Sequence, residues 1–261
     1  MEAAARRLTP VTLELGGKSP CIVAPDAKLA TAAQRIAWGK FLNAGQTCIA
    51  PDYALVHRSV LGDFLRLLKE AVVRQFGEAP LAPGSSYTRI VNEKHFRRLR
   101  ALLAEGEAAI GGGCDEERLL IEPTVLTGVP WDGAAMRDEI FGPILPVFPY
   151  DDLEEALARI AARPKPLALY LFTENASVER LVLERLSFGG GCVNDTLLHC
   201  MNPHLPFGGV GTSGIGAYHG RHSFETFSHR KSVLKQTTLF DMAVRYPHFR
   251  PALSILRKVL R

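Results

Sequence analysis

The chain has 261 residues, 47% of them hydrophobic and 22% charged, with a formal net charge of +4. That is room for one large or two modest domains of ordinary soluble composition. The small, scattered positive excess does not argue for a nucleic-acid partner, no apolar run approaches the roughly 20 residues that a spanning helix needs, and the start Met1-Glu2-Ala3-Ala4-Ala5-Arg6-Arg7 lacks the apolar centre of a signal peptide. The five cysteines (Cys21, Cys48, Cys114, Cys192, Cys200) are odd in number and include no C-x-x-C. This speaks against a disulfide framework or a zinc site and for a reducing, cytoplasmic setting.

Strand-like and helix-like segments alternate along the chain. Val11 to Leu15, Pro20 to Val23 and Tyr53 to His57 read as strands, and Leu29 to Leu42 as a helix. Val60, Phe64, Leu67, Leu68, Ala71 and Val72 recur at helical spacing, as do Phe96, Leu99, Leu102 and Leu103. Leu119 to Leu126 and Ile144 to Phe148 read as strands, and Asp152 with Glu155 three residues on as a helix start. Leu167 to Phe172 is a continuous apolar run, expected of a strand buried on both faces. Ser177 to Leu186 reads as a helix and Gly191 to Asn194 as a strand; Asn202 to Gly216 is rich in Gly and Pro, and Tyr218 to His229 has the composition of a surface excursion. The alternation predicts an α/β fold with a largely parallel sheet flanked by helices.

Five segments invite a chemical reading. Cys48 lies in Asn43-Ala44-Gly45-Gln46-Thr47-Cys48-Ile49-Ala50. A thiol in such a turn can act as a nucleophile, with its own backbone N–H as an oxyanion donor, or can be a structural thiol. Glu14, in Leu13-Glu14-Leu15-Gly16-Gly17-Lys18, follows a short strand, and strand ends of parallel sheets are where sites assemble; the alternative is an exposed acid paired with Lys18. Arg137 to Pro146 contains Glu139-Ile140-Phe141-Gly142-Pro143, which by itself reads as an acid ahead of a turn closed by Gly142-Pro143. Gly209, Gly211 and Gly214 spell G-x-G-x-x-G, but Pro203 and Pro206 break any strand before it, so it is not read as a dinucleotide phosphate loop. His219 and His222 form H-x-x-H with no ligand set around them, and are read as packing or solvated residues.

The Glu14 and Cys48 segments, in this order, resemble the aldehyde dehydrogenase superfamily. Pro206-Phe207-Gly208-Gly209, Tyr218-His219-Gly220 and Phe224 to His229 are similar to its class 3 members in particular. The resemblance implies that Cys48 attacks an aldehyde and that Glu14 activates water against the resulting thioester. It also implies that Glu139 holds the nicotinamide ribose of NAD or NADP, with Leu15, Gly16, Phe141 and Phe207 beside the cofactor or substrate. Medium- or long-chain aliphatic or aromatic aldehydes and a homodimer are expected on the same ground. Members of the family are longer on the N-terminal side. The expectation is therefore a remnant of the NAD-binding domain over 1–15, a catalytic domain over 16–210, and over 211–261 a return segment with an oligomerisation strand and a basic helix, with impaired activity for this chain alone. Arg245, Arg250, Arg257, Lys258 and Arg261, interleaved with Phe249, Leu253, Leu256 and Leu260, suggest that helix and a possible weak contact with an anionic membrane surface. A non-catalytic paralogue acting by dimerisation and a cofactor-free thiol esterase stay open as rivals.

Overall fold

The computed structural model describes residues 1–242, 245–246 and 257–258. Its strands are β1 (Leu13–Glu14), β2 (Pro20–Val23), β3 (Tyr53–His57), β4 (Glu107–Ile110), β5 (Cys114–Asp115), β6 (Leu120–Ile121), β7 (Thr124–Thr127), β8 (Ile144–Tyr150), β9 (Ala168–Phe172), β10 (Gly190–Val193) and β11 (Gly214–Ile215). Its helices are α1 (Glu2–Ala5), α2 (Leu29–Phe41), α3 (Leu61–Phe76), α4 (Glu93–Leu102), α5 (Ala134–Arg137), α6 (Leu153–Ala161), α7 (Ala176–Arg185) and α8 (Gly220–Thr226). The chain divides into two compact units, Met1–Phe227 and Ser228–Arg261.

The first unit is built on a seven-stranded sheet of order β10-β9-β2-β3-β8-β7-β4, parallel throughout except for the edge pair β4–β7. Side chains alternate across it, as the two-residue period of a strand requires. Cys21, Val23, Ala54, Val56, Tyr170 and Phe172 face α2 and α3, while Ile22, Leu55, Leu169 and Leu171 face α4, α6 and α7. Both faces are covered, which is why β2 and β9 are apolar at every position. Helix starts are capped by short polar side chains: Asn92 accepts from His95 N, Asp152 from Glu154 N, and Asn175 from Ser177 N. Among the described residues no helix is long and apolar enough to cross a membrane.

Two expected strands differ. Leu119 to Leu126 is two strands, because Pro123 has no N–H to give a ladder; β6 pairs with β5 in a separate ribbon and β7 joins the main sheet. The strand expected over Val11 to Leu15 shrinks to β1, which pairs antiparallel with β11 outside the main sheet. In the second unit Asp241 accepts hydrogen bonds from Arg245 and Tyr246. Of the expected C-terminal basic helix, Arg250, Arg261, Phe249, Leu253, Leu256 and Leu260 lie outside the described residues.

Candidate active site

The signal-bearing loops meet at one edge of the sheet, and it is the edge where strands begin. Glu14 to Lys18 precedes β2, Cys48 to Asp52 precedes β3, and Glu139 to Gly142 precedes β8. β2, β3 and β8 are parallel neighbours, so their entering loops are neighbours too. Asp52 N donates to Ser19 O at 2.8 Å and ties the first two loops together. The site expected at strand ends of a parallel sheet lies at the amino ends of β2, β3 and β8, and Glu14 itself stands in the β1–β11 ribbon.

The turn bearing Cys48 is made by three successive left-handed residues, Asn43, Ala44 and Gly45, at φ of 53°, 52° and 69°. An alanine there costs about 1–2 kcal/mol, so the turn needs external restraint. Gln46 supplies it. Its Nε2 donates to Asn43 O and Arg89 O, both at 3.1 Å, and its Oε1 accepts from Val91 N at 2.9 Å. Asn43 Nδ2 closes the turn on Gln46 O at 3.1 Å.

Cys48 is half-buried, and Glu14 lies beside it. The thiol is pushed up to about 12, first by burial, then by the charge of Glu14 and the polar contact with it, then by the charge of Glu139. Glu14 Oε1 is buried without a hydrogen-bond partner among the described residues. Lys18, the alternative partner for Glu14, gives its ammonium to Asp52. The Glu14 carboxylate is thereby left facing the thiol. Phe207 is buried in the cluster against which Cys48 packs. It exchanges backbone hydrogen bonds with Tyr218, both 2.8 Å, and stacks on His219 at 5.0 Å between centroids. That bridge brings the Tyr218 phenol, raised by burial and then by the charges of Glu14 and Cys48, into the same site. Gly209, Gly211 and Gly214 lead through a single 3-10 turn into β11 rather than into a helix.

Glu139 is half-buried at a cavity of about 200 Å³ that Gly16, Gly17, Lys18, Lys165 and Thr212 also line. A Cβ on Gly16 would come within 2.0 Å of Glu139 Oε2, so the glycine is what admits the carboxylate. Burial and the charge of Asp52 raise Glu139 to about 7, against the pull of the Gly17 N–H, Lys40 and Lys18. Leu15 and Phe141, next in sequence to Gly16 and two residues past Glu139, are 48% and 39% exposed. The structure thus places Glu14, Cys48 and Phe207 in one group and Gly16 and Glu139 in another. The two groups are linked by the charge of Glu139 on Cys48, and by Gly45 packed on the Gly142 backbone.

Sequence reasoning missed Asp52, Lys40, Tyr170 and the place of Tyr218. The signal for the first two was a charge inside a short apolar stretch, Lys40 in residues 36–42 at the end of α2 and Asp52 at the head of β3, and both are buried. Tyr170, in β9, donates to Ile49 O at 2.6 Å and holds the far side of the nucleophile turn. Tyr170→Phe leaves that buried carbonyl without its donor and is expected to cost about 1–3 kcal/mol, read as a lower urea midpoint with unchanged slope. His199 pairs with Cys192, Nδ1 to Sγ 3.5 Å, so it is not tied to Cys48.

The family model described as "Aldehyde dehydrogenase family" matches residues 1–233. The chain is 51% identical over 251 residues to the 4,4'-diaponeurosporen-aldehyde dehydrogenase of Staphylococcus aureus, covering 95% of itself and 54% of that protein. It is 48% identical over 249 residues to the dimeric NADP-preferring aldehyde dehydrogenase of Rattus norvegicus, covering 95% and 55%. It is 47% identical over 249 residues to aldehyde dehydrogenase family 3 member A2 of Pongo abelii, covering 95% and 51%. A solved structure, the substrate-bound state of Staphylococcus aureus AldH, superposes with a TM-score of 0.95 at 47% identity, over all of this chain and 57% of that one. The NAD+ complex of an aldehyde dehydrogenase from Bacillus cereus gives 0.78 at 32% identity, over 89% and 48%. The chain spans about half the length of the curated relatives it matches, and with its fold, its paired Glu14 and Cys48 and these likenesses it belongs to the aldehyde dehydrogenase family.

Proposed function

We propose that this chain carries the nucleophile and the base of an aldehyde dehydrogenase that turns aldehydes into carboxylic acids with NAD or NADP. The observation that carries the reading is the Glu14 carboxylate beside the Cys48 thiol, with its own cation diverted to Asp52. Cys48, mostly thiol at neutral pH, attacks through its thiolate, whose proton passes to solvent, and this leaves the Glu14 carboxylate free for the later step. Addition of sulfur to the aldehyde carbon gives a thiohemiacetal, whose oxyanion the Cys48 N–H can meet. The cofactor, when bound, supplies the acceptor for the hydride that leaves this carbon. Glu14 then takes a proton from water, the water attacks the Cys48 thioester, and the acid leaves as the thiol is restored.

The residues present fit the ribose end of such a cofactor. Glu139 offers a half-buried carboxylate over a backbone without a Cβ at Gly16, an acceptor pair for two adjacent hydroxyls. Leu15 and Phe141 offer apolar surface beside it, and Phe207 and Tyr218 offer aromatic surface on the thiol side. A homodimer, medium- or long-chain or aromatic aldehydes, a cytosolic setting and a weak membrane-surface contact through the basic C-terminus belong to the same proposal; the word "dimeric" in the rat relative's name supports the first of these. The test is aldehyde-dependent formation of reduced nucleotide by the full chain. Cys48→Ala is expected to abolish it and to remove the single alkylated site that an aldehyde or substrate ester protects. Undiminished activity of Cys48→Ala overturns the reading.

A further inference from the structure

The groups around Glu139 form a closed set of charges that the mechanism above does not use. Asp52 is 2% exposed. Its Oδ1 accepts from Ile140 N at 2.8 Å, and its Oδ2 receives the Lys18 ammonium. That ammonium also donates to Ala135 O at 2.8 Å and Asp138 O at 3.0 Å. From α4, Arg98 donates to Glu139 O and Ile140 O. The carbonyls of residues 138, 139 and 140 and the N–H of residue 140 are therefore all held by charged side chains, and such bonds are stronger than neutral ones. Lys40, fully buried near the end of α2, stands within electrostatic reach of Asp52, Lys18 and Glu139. Two carboxylates and two ammoniums thus face one another across three loops and a helix.

We propose that Asp52 and Lys18, with Lys40 in reach of both, are a positioning cluster for Glu139 that sets where its carboxylate stands and reaches a cofactor ribose only through it. The proposal rests on the reading of Glu139 as the ribose ligand. A carboxylate that is to grip a diol has to be both aimed and ionised, and a buried one resists ionisation. The charged neighbours of the two signs act in opposite directions. Asp52 repels the Glu139 charge and raises its midpoint, whereas Lys18 and Lys40 attract the charge and lower it. The other titratable or charged groups nearby are the Cys48 thiol, Arg98 at the backbone, and Arg137, Asp138, Arg163 and Lys165 around the same cavity. Lys40 shows the same balance from the cation's side: burial lowers it to about 8 while Asp52 and Glu139 raise it.

The test uses the full chain with carboxyl-labelled glutamate, followed by NMR through pH 4 to 9, with the Glu139 signal assigned by Glu139→Gln. Asp52→Asn keeps an acceptor for Ile140 N and removes the negative charge, so the Glu139 midpoint is expected to fall by about one pH unit. Lys18→Met removes a positive charge, so the midpoint is expected to rise by about the same amount, and Lys18→Arg is expected to bring it back. A purely structural pair predicts something else: both substitutions loosen the loops, admit water and lower the midpoint towards that of an ordinary glutamate. A fall in Lys18→Met therefore overturns the proposal. Should Asp52→Asn fail to fold, the comparison of Lys18→Met with Lys18→Arg still decides the sign. Nucleotide binding, measured by calorimetry on the same variants, separates the two ideas. If the midpoints move in opposite directions while Glu139→Gln binds nucleotide as tightly as the unsubstituted chain, the charge cluster stands and the ribose reading falls.

Discussion

Glu14→Gln is expected to slow aldehyde-dependent turnover about 10²–10⁴-fold, the range for loss of a positioned general base, while making Cys48 easier to alkylate. The two effects have one origin. The charge of Glu14 and its polar contact are the second and third causes that push the Cys48 thiol up to about 12. A neutral amide removes both, the midpoint falls, and at any pH below it the thiolate fraction rises, tenfold for each pH unit of the fall. Alkylation by iodoacetamide, followed from pH 7 to 10, reads that rise. Deacylation moves the other way, because the amide cannot take a proton from water. Cys48 should then accumulate as an acyl thioester, visible as a mass increase on the peptide holding it. A substrate ester gives the same readout without nucleotide. If alkylation quickens but no acyl form accumulates, Glu14 tunes the thiol and another group activates the water. If neither changes, Glu14 and Cys48 do not act on one another, and the proposed function loses its support.

How much of this could be read from the chain depends on sequence separation. The sheet strands and helices were legible because burial on one or two faces imposes a period on residues a few positions apart: Phe64, Leu68, Ala71 and Val72 on α3, or the unbroken run of β9. Cys48, Glu14 and Glu139 were legible through contiguous signatures, and it was the resemblance those signatures carry, not any local pattern, that implied their proximity. Three features were illegible because they are pairings between distant positions. Lys18 meets Asp52 across 34 residues. β1 finds β11 some 200 residues away, which converts an expected sheet strand into a separate ribbon. Tyr218 reaches the thiol only through its bridge to Phe207. No local propensity encodes such partners. The end of the strands that holds the site was illegible for a related reason. In a parallel sheet both ends of every strand carry loops, and a sequence shows which loops hold polar residues and glycines but not which of them the fold brings together.

Two alanine substitutions separate what glycine contributes to geometry from what it contributes to binding. At Gly45 the new Cβ would come within 2.3 Å of Gly142 O and 3.0 Å of Lys40 O, at a φ of +69°. Both obstacles are backbone and cannot rotate away, and the left-handed conformation adds its own cost of about 1–2 kcal/mol. Gly45→Ala is therefore expected to destabilise the chain by about 2–4 kcal/mol, seen as a lower thermal midpoint, and to part the Cys48 turn from the Glu139 turn. At Gly16 the obstacle is different: Glu139 Oε2 at 2.0 Å, Cδ at 2.7 Å and Oε1 at 2.9 Å, the far end of a flexible side chain. Glu139 can swing aside, so Gly16→Ala should hold its thermal midpoint within a degree or two. What it loses is the place of the carboxylate. Removing a charge-assisted grip worth about 1.5–3 kcal/mol corresponds to roughly a tenfold to hundredfold weaker hold on the nucleotide. Aldehyde-dependent kinetics should show this as a rise in the nucleotide KM, with Cys48 alkylation unaltered. The contrast is the informative result. Were Gly16→Ala to melt early with nucleotide affinity intact, the contact between Gly16 and Glu139 would be packing alone, and the diol grip would have to be sought elsewhere on the cavity wall.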